Sequence, residues 1–172
     1  MPAHQVIIRN ATADDARALA EFNRRMALET EGLPLLPPVI LSGVKAVFED
    51  PARGFYVVAE APQGLVAALM ITREWSDWRD GEWWWIQSVY VRPSFRRRGV
   101  YRSLYRHVTD CAERARNVCG LRLYVERENR VAQQTYAALG MRETRYKVFE
   151  HLKPGRRFVD DSPPPDGSRP GL

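Results

Sequence analysis

Cysteine is scarce: Cys111 and Cys119 are the whole complement of a 172-residue chain. Two cysteines in this length make no disulfide framework, so a reduced, cytoplasmic setting is expected. No CxxC pair or histidine cluster accompanies them. Packing is therefore their expected part, and no metal is expected. Histidine is equally sparse, with His4, His107 and His151 scattered along the chain. No apolar run reaches the roughly 18 residues of a membrane-spanning helix. The opening MPAHQVIIRN has no basic segment leading into a long apolar stretch, so no secretory signal is expected.

What is present is ordinary in amount. Hydrophobic residues make up 45% and charged residues 27%, which excludes wholesale disorder. The length suits one domain with a substantial core. The net charge is +5, compatible with a nucleic acid partner or a small anionic ligand. Placement says more than balance: Arg96, Arg97 and Arg98 are the densest point.

Local patterns give an element order. Gln5–Arg9 reads as a strand. Thr12 and the acidic pair Asp14–Asp15 open a helix that ends before Gly32 and Pro34. A second helix is expected over Val39–Phe48, stopped by Asp50–Pro51. Phe55–Glu60 and Leu65–Thr72 form a hairpin around Ala61–Gly64. Trp83–Val91 is a long buried strand, closed by Pro93. Val100, Leu104, Val108 and Ala112 fall on one helical face. Leu121–Val125 is a strand, and Asn129–Leu139 a helix with Gly140 as its cap. Tyr146–Leu152 is a last strand. The order is β-α-α-β-β-β-α-β-α-β, a single mixed α/β domain over residues 1–152. Residues 153–172 turn rich in Pro, Gly, Asp and Ser and read as a disordered tail.

The three arginines sit where a strand hands over to a helix. A helix N-terminus offers free amides and partial positive charge, a ready anion site. Gly99 allows close backbone approach, and guanidinium forks suit phosphate oxygens. Taken alone, the arginines would read as a solvated basic turn. The strand before and amphipathic helix after favour a phosphate cradle.

Val91-Arg92-Pro93-Ser94-Phe95 followed by Arg96-Arg97-Arg98-Gly99-Val100-Tyr101 resembles the acyl-CoA signature of the GNAT superfamily of N-acetyltransferases, Arg/Gln-x-x-Gly-x-Gly/Ala. Asn129-x-x-Ala132-x-x-x-Tyr136-x-x-x-Gly140-Met141 resembles that family's second motif, Asn-x-x-Ala-x-x-x-Tyr-x-x-x-Gly-Phe. The resemblance spans residues 5–152 and implies a GNAT fold, a mostly antiparallel mixed sheet flanked by helices. Tyr101 departs from the usual Gly/Ala, so its side chain must point away from the phosphates or the cradle must be looser.

The resemblance implies acetyl-CoA as co-substrate and acetyl transfer to an amine. It places CoA against Val89, Tyr90 and Val91, then Arg96, Arg97, Arg98, Gly99, Val100, Tyr101 and Arg102, with Asn129 and Tyr136 from the second motif. It makes the backbone amide near Val89 the oxyanion donor and Tyr136 the acid that protonates the leaving thiolate. Without the motif, Tyr136 would read as a packing residue. Many relatives carry a glutamate on the fourth strand; here that strand offers Trp83, Trp85, Gln87 and Val89 on one face, with no carboxylate. Gln87 orients but takes no proton. A water chain, or a carboxylate from the first helix and its following loop such as Glu29 or Glu31, could serve instead, although each glutamate alone reads as a solvated helix end. Trp85 is either core or a wall of the acceptor pocket. Trp75 and Trp78 are either a packed turn or a pocket lip.

Trp78–Val91 also resembles the diamine and thialysine acetyltransferase branch, with Gln87-Ser88 where an acidic pair would stand. That loss speaks against a polyamine acceptor and leaves a less highly charged amine or an amino acid derivative. The expected activity is N-acetylation of a small-molecule primary amine in a ternary complex. The rivals are an acyl-CoA-binding module without catalysis, and acetylation of a protein or peptide. Acidic residues interleaved at Asp110, Glu113, Glu126 and Glu128 speak against nucleic acid. A homodimer is expected from the resemblance alone.

Overall fold

The computed structural model describes residues 6–155 and 157–160. Gln5, the expected start of the first strand, and residues 161–172 of the expected tail lie outside them. Strand β1 (Ile7–Asn10) leads through a 3-10 turn at Ala13–Asp15 into helix α1 (Ala16–Glu31). The turn is held by Asp15 Oδ2, which accepts from the Thr12 amide at 2.8 Å. Gly32 at φ 66 ends α1 in the left-handed region, as a C-terminal glycine should. Helix α2 (Pro37–Glu49) starts two residues earlier than expected, because proline is well tolerated in a first helical turn. Strands β2 (Phe55–Ala61), β3 (Gly64–Ser76) and β4 (Gly81–Val91) form a meander longer than its apolar runs. Helix α3 (Val100–Arg114), β5 (Val118–Arg122) and α4 (Arg130–Ala138) complete the order.

The sheet runs β1-β2-β3-β4-β5, antiparallel except for the β4–β5 pair, which is parallel. Alternation along β2 sends Val57 and Ala59 to one face and Tyr56 and Val58 to the other. The first face packs on α3 through Leu69, Ile71, Ile86, Leu104 and Val108. The second packs on α1 and α2 through Leu19, Phe22, Val44, Ala68 and Tyr90. Leu104 and Val108 are fully buried, as the four-residue spacing predicts.

An ion-pair cluster fastens β1 to its surroundings. Arg9 reaches Asp15 at 2.8 Å and Glu60 at 2.7 Å. The Arg9 hydrogen bond holds the Asp15 carboxyl below its usual range. A depressed native pKa stabilises the fold above the unfolded carboxyl pKa, and that stability is lost as pH falls through the native value. Asp15→Asn should therefore cost about 1 kcal/mol at neutral pH. The difference from wild type should close towards about pH 2. Urea midpoints of both proteins at the two pH values check it.

One expected element is absent. Tyr146–Leu152 forms no strand, and among the described residues the only pairing after α4 is the single bridge between Leu35 and Val159. Its apolar residues do not segregate: Tyr146 and Val148 fall on one side of an extended chain and Phe149 on the other. All three are exposed, Phe149 by 91%. The outer edge of β5 is left beside a cleft of about 800 Å³, lined by Trp83, Gly120, Arg122 and Tyr146 among others. Residues 157–160 instead meet the α1–α2 loop, with the Leu36 amide donating to Phe158 O at 2.9 Å and the Asp160 amide to Pro34 O at 2.7 Å.

Candidate active site

Two irregularities in β4 open the sheet. Ser88 takes φ 52, a left-handed angle in mid-strand. The register jumps there, from Met70 opposite Gln87 to Ala68 opposite Tyr90, so Leu69 faces two residues. That is a β-bulge, which bends the strand and re-aims the residues beyond it. The parallel pairing with β5 also ends at Trp85 opposite Arg122. Among the described residues, 86–91 of β4 thus run on without a strand partner on that side.

The Arg92 amide donates to Val66 O on β3 at 2.9 Å. Strand alternation then turns the backbone groups of Val91 and Val89 to the opposite edge, where β5 has parted. Arg96 Nε donates to Val91 O at 2.8 Å on that edge. The Tyr90 ring meets Phe22 of α1 at 4.9 Å, tilted by 36°, and is buried.

The arginine turn lies directly beyond. Arg97 at φ 59 and Gly99 at φ 78 are both left-handed, a sharp reversal before α3. A Cβ built on Gly99 would meet nothing within 4 Å, so the space over the helix N-terminus is open. Arg97, Arg98 and Arg102 are exposed around it. Free amides, an open cradle and exposed guanidiniums fit a pyrophosphate. Arg96 differs from its neighbours. Its Nη2 binds Glu29 Oε2 of α1, and its guanidinium lies 5.7 Å from the Tyr90 ring centre. Glu29 is therefore engaged in an ion pair, and Glu31 is exposed at the helix end.

Val100 and Tyr101 begin α3 with their side chains turned inward. Tyr101 packs against the core beneath α3, and its buried hydroxyl has no partner among the described residues. Its ring meets Tyr105 at 6.3 Å and Tyr136 at 5.9 Å, the latter edge-on. The large residue at the usual Gly/Ala position thus leaves the cradle clear. Burial pushes the Tyr101 and Tyr136 phenols up, so both hold their protons well past neutral pH.

The second motif is also a helix ruler. Asn129 Oδ1 accepts from the Ala132 amide at 3.1 Å, the standard N-cap bond three residues on. Gly140 at φ 89 closes the other end, with the Met141 amide donating to Tyr136 O at 3.1 Å. Between the caps, Tyr136 is half-buried and turned to Tyr101.

The face of β4 toward α1 and α2 carries Trp83, Trp85 and Gln87, whereas the bulge turns Val89, expected beside them, to pack with Val91 on the α3 side. Gln87 Nε2 donates to Thr72 Oγ1 at 2.7 Å. Trp85 is half-buried: its ring meets Tyr124 at 4.7 Å, and its indole N–H donates to Glu74 Oε2. Glu74, Arg122 and Tyr124 are members of this cluster that the sequence pattern did not single out. Trp75 and Trp78 stand away from it, Trp78 being 84% exposed, so neither packs the turn.

A sheet split between its parallel strands, above a basic helix N-terminus, defines an acetyltransferase-type α/β domain. The chain belongs to the acetyltransferase (GNAT) family, whose family model matches residues 16–141. A possible acetyltransferase from Clostridium difficile 630 is 42% identical, with a TM-score of 0.81 over 86% of this chain and 97% of that one. A predicted acetyltransferase with acetyl-CoA from Clostridium acetobutylicum shares the fold at 17% identity and TM-score 0.72, covering 86% of this chain and 97% of its own. So does a ribosomal-protein-alanine N-acetyltransferase from Brucella melitensis biovar Abortus 2308, at 17% identity and TM-score 0.69, covering 87% of this chain and 99% of its own. No curated protein matches the chain. Among the described residues, no helix is long and apolar enough to cross a membrane.

Proposed function

We propose that the protein transfers the acetyl group of acetyl-CoA to the primary amine of a small molecule. The observation that carries this is the split beyond Trp85, which leads from the Val89 edge of β4 to the open N-terminus of α3. The amides of Arg97–Arg102 hold the pyrophosphate, and Arg97, Arg98 and Arg102 offset its charge. Asn129 contributes to this site through α4, whose start it fixes. Bound acetyl-CoA supplies an acetyl thioester. The Val89 amide donates to the carbonyl oxygen where negative charge gathers. Tyr136 holds a phenolic proton for the departing sulfur. An N–C bond forms, the C–S bond breaks, and the amine gives up one proton as the thiol gains one.

Gln87 is an amide that takes no proton and Glu29 is paired with Arg96, so neither stands ready as a base. The acceptor enters as the neutral amine, with Gln87 and Trp85 beside it. The half-buried setting of these side chains favours a small molecule over a protein.

Tyr136→Phe should lower kcat about 100-fold. The wild-type rate should climb with pH as the acceptor amine deprotonates. It should not fall before about pH 10, because the raised phenol keeps its proton there. Thiol release followed across pH, with and without the substitution, checks both statements. A variant as fast as wild type would remove Tyr136 from the chemistry.

A further inference from the structure

Across β4 from one another, β3 and β5 bring an acid and a base to the acceptor side. Glu74 stands opposite Trp83, and Arg122 beside Trp85. Arg122 Nη1 donates to Glu74 Oε1 at 3.0 Å, while the Trp85 indole takes the other carboxylate oxygen. The Arg122 guanidinium lies 4.0 Å from the Trp83 ring centre and 5.8 Å from that of Trp85. Two indoles and a carboxylate therefore hold one planar fork. Its Nε and Nη2 groups have no partner among the described residues. The side chain keeps 26% exposure, enough to be met by a small ligand.

A second guanidinium joins it at the rings. Arg79 also lies over Trp83, at 5.2 Å. Against these two guanidiniums stands Glu74, with Gln87, Ser88 and Thr72 neutral, and the cleft beyond β5 that Arg122 also lines holds Arg142 with Glu113 and Glu143. A second ammonium on the acceptor would find Glu74 already satisfied on both oxygens. A carboxylate would find a pre-oriented guanidinium with free donors.

We infer that Arg122 anchors an anionic group, a carboxylate foremost, on the acceptor amine. This rests on the acetyl-transfer reading above and names its substrate class. Trp85, the register partner of Arg122, is two residues from Gln87 and four from Val89, roughly 7–13 Å along the strand. Amine and carboxylate are accordingly several bonds apart, as in an ω-amino acid rather than an α-amino acid.

The test compares each amino acid with the amine left when its carboxyl is replaced by hydrogen. Glycine is paired with methylamine, 4-aminobutanoate with propylamine, and 6-aminohexanoate with pentylamine. In the wild type, kcat/KM for a longer amino acid should exceed that of its partner by about 10-fold or more. Arg122→Gln should collapse this ratio to near unity, and Arg122→Lys should keep part of it. A wild-type ratio at or below unity, or a ratio untouched in Arg122→Gln, overturns the anchor. If no amine releases thiol, the transfer reading has failed instead. The anchor is then read from tryptophan fluorescence titrated with propionate and 6-aminohexanoate. A wild-type response lost in Arg122→Gln supports it, and no response sinks it.

Discussion

Gly99→Asp should weaken acetyl-CoA binding by about 100-fold or more, yet leave the protein folded. The structural cost is small. A Cβ there meets nothing within 4 Å. The φ of 78 lies where aspartate is among the better-tolerated residues, so about 1 kcal/mol is lost. The ligand cost is large, because a carboxylate would stand over the helix N-terminus where phosphate charge is proposed to sit. Two like charges about 5 Å apart repel by roughly 3 kcal/mol at an effective dielectric near 20. That alone is a factor of about 100 in affinity. Gly99→Asn has the same shape without the charge, and should cost no more than about 10-fold. Titration calorimetry of the three proteins separates charge from bulk. Equal affinities for aspartate and glycine would move the pyrophosphate elsewhere.

The second large effect concerns stability. Gly54 joins the Pro51–Arg53 turn to β2 at φ 140. A Cβ built on it would stand 1.9 Å from Ile71 O and 3.0 Å from Ile71 C. Both are backbone atoms of β3, beside a fully buried side chain, in the pair that starts the β2–β3 ladder. No rotamer change relieves such a clash, so either the ladder or the turn must move. Gly54→Ala should cost about 4 kcal/mol or more, in the exceptional range for one residue and a large part of typical domain stability. Gly43, exposed in α2 with nothing within 4 Å of a built Cβ, is the matched control. Gly43→Ala should stabilise by about 1 kcal/mol. Urea unfolding of both variants checks the pair. A Gly54→Ala protein within about 1 kcal/mol of wild type would contradict the close approach.

Much of the fold was legible because its signals are local. Gly32 and Gly140 ended their helices where they were expected to. The Asn129–Ala132 spacing is itself a capping geometry, so a motif and an element could be read together. Helix α3 declared its buried face through Val100, Leu104, Val108 and Ala112. The bulge was not legible, because Ser88 takes a left-handed angle without a glycine to advertise it. Nor was the Glu74–Arg122 pair, whose members are far apart in sequence and meet only through the register of three strands. Tyr146–Leu152 failed for the opposite reason. Its composition suits a strand, but strand formation depends on a neighbour that composition does not reveal.

The alternation along β4 has an evolutionary consequence. Trp84 and Ile86 knit the sheet to α3, while Trp83, Trp85 and Gln87 look the other way. Side chains of the proposed acceptor site and side chains of the core are therefore interleaved on a single strand, one residue apart. Substitutions at Trp83, Trp85 and Gln87 are expected to retune the proposed acceptor site while Trp84 and Ile86 keep the scaffold, and past the Ser88 bulge the faces exchange, Val89 and Val91 packing toward α3. A lineage descending from this chain could explore new substrates in single steps, without first acquiring compensating changes in its core.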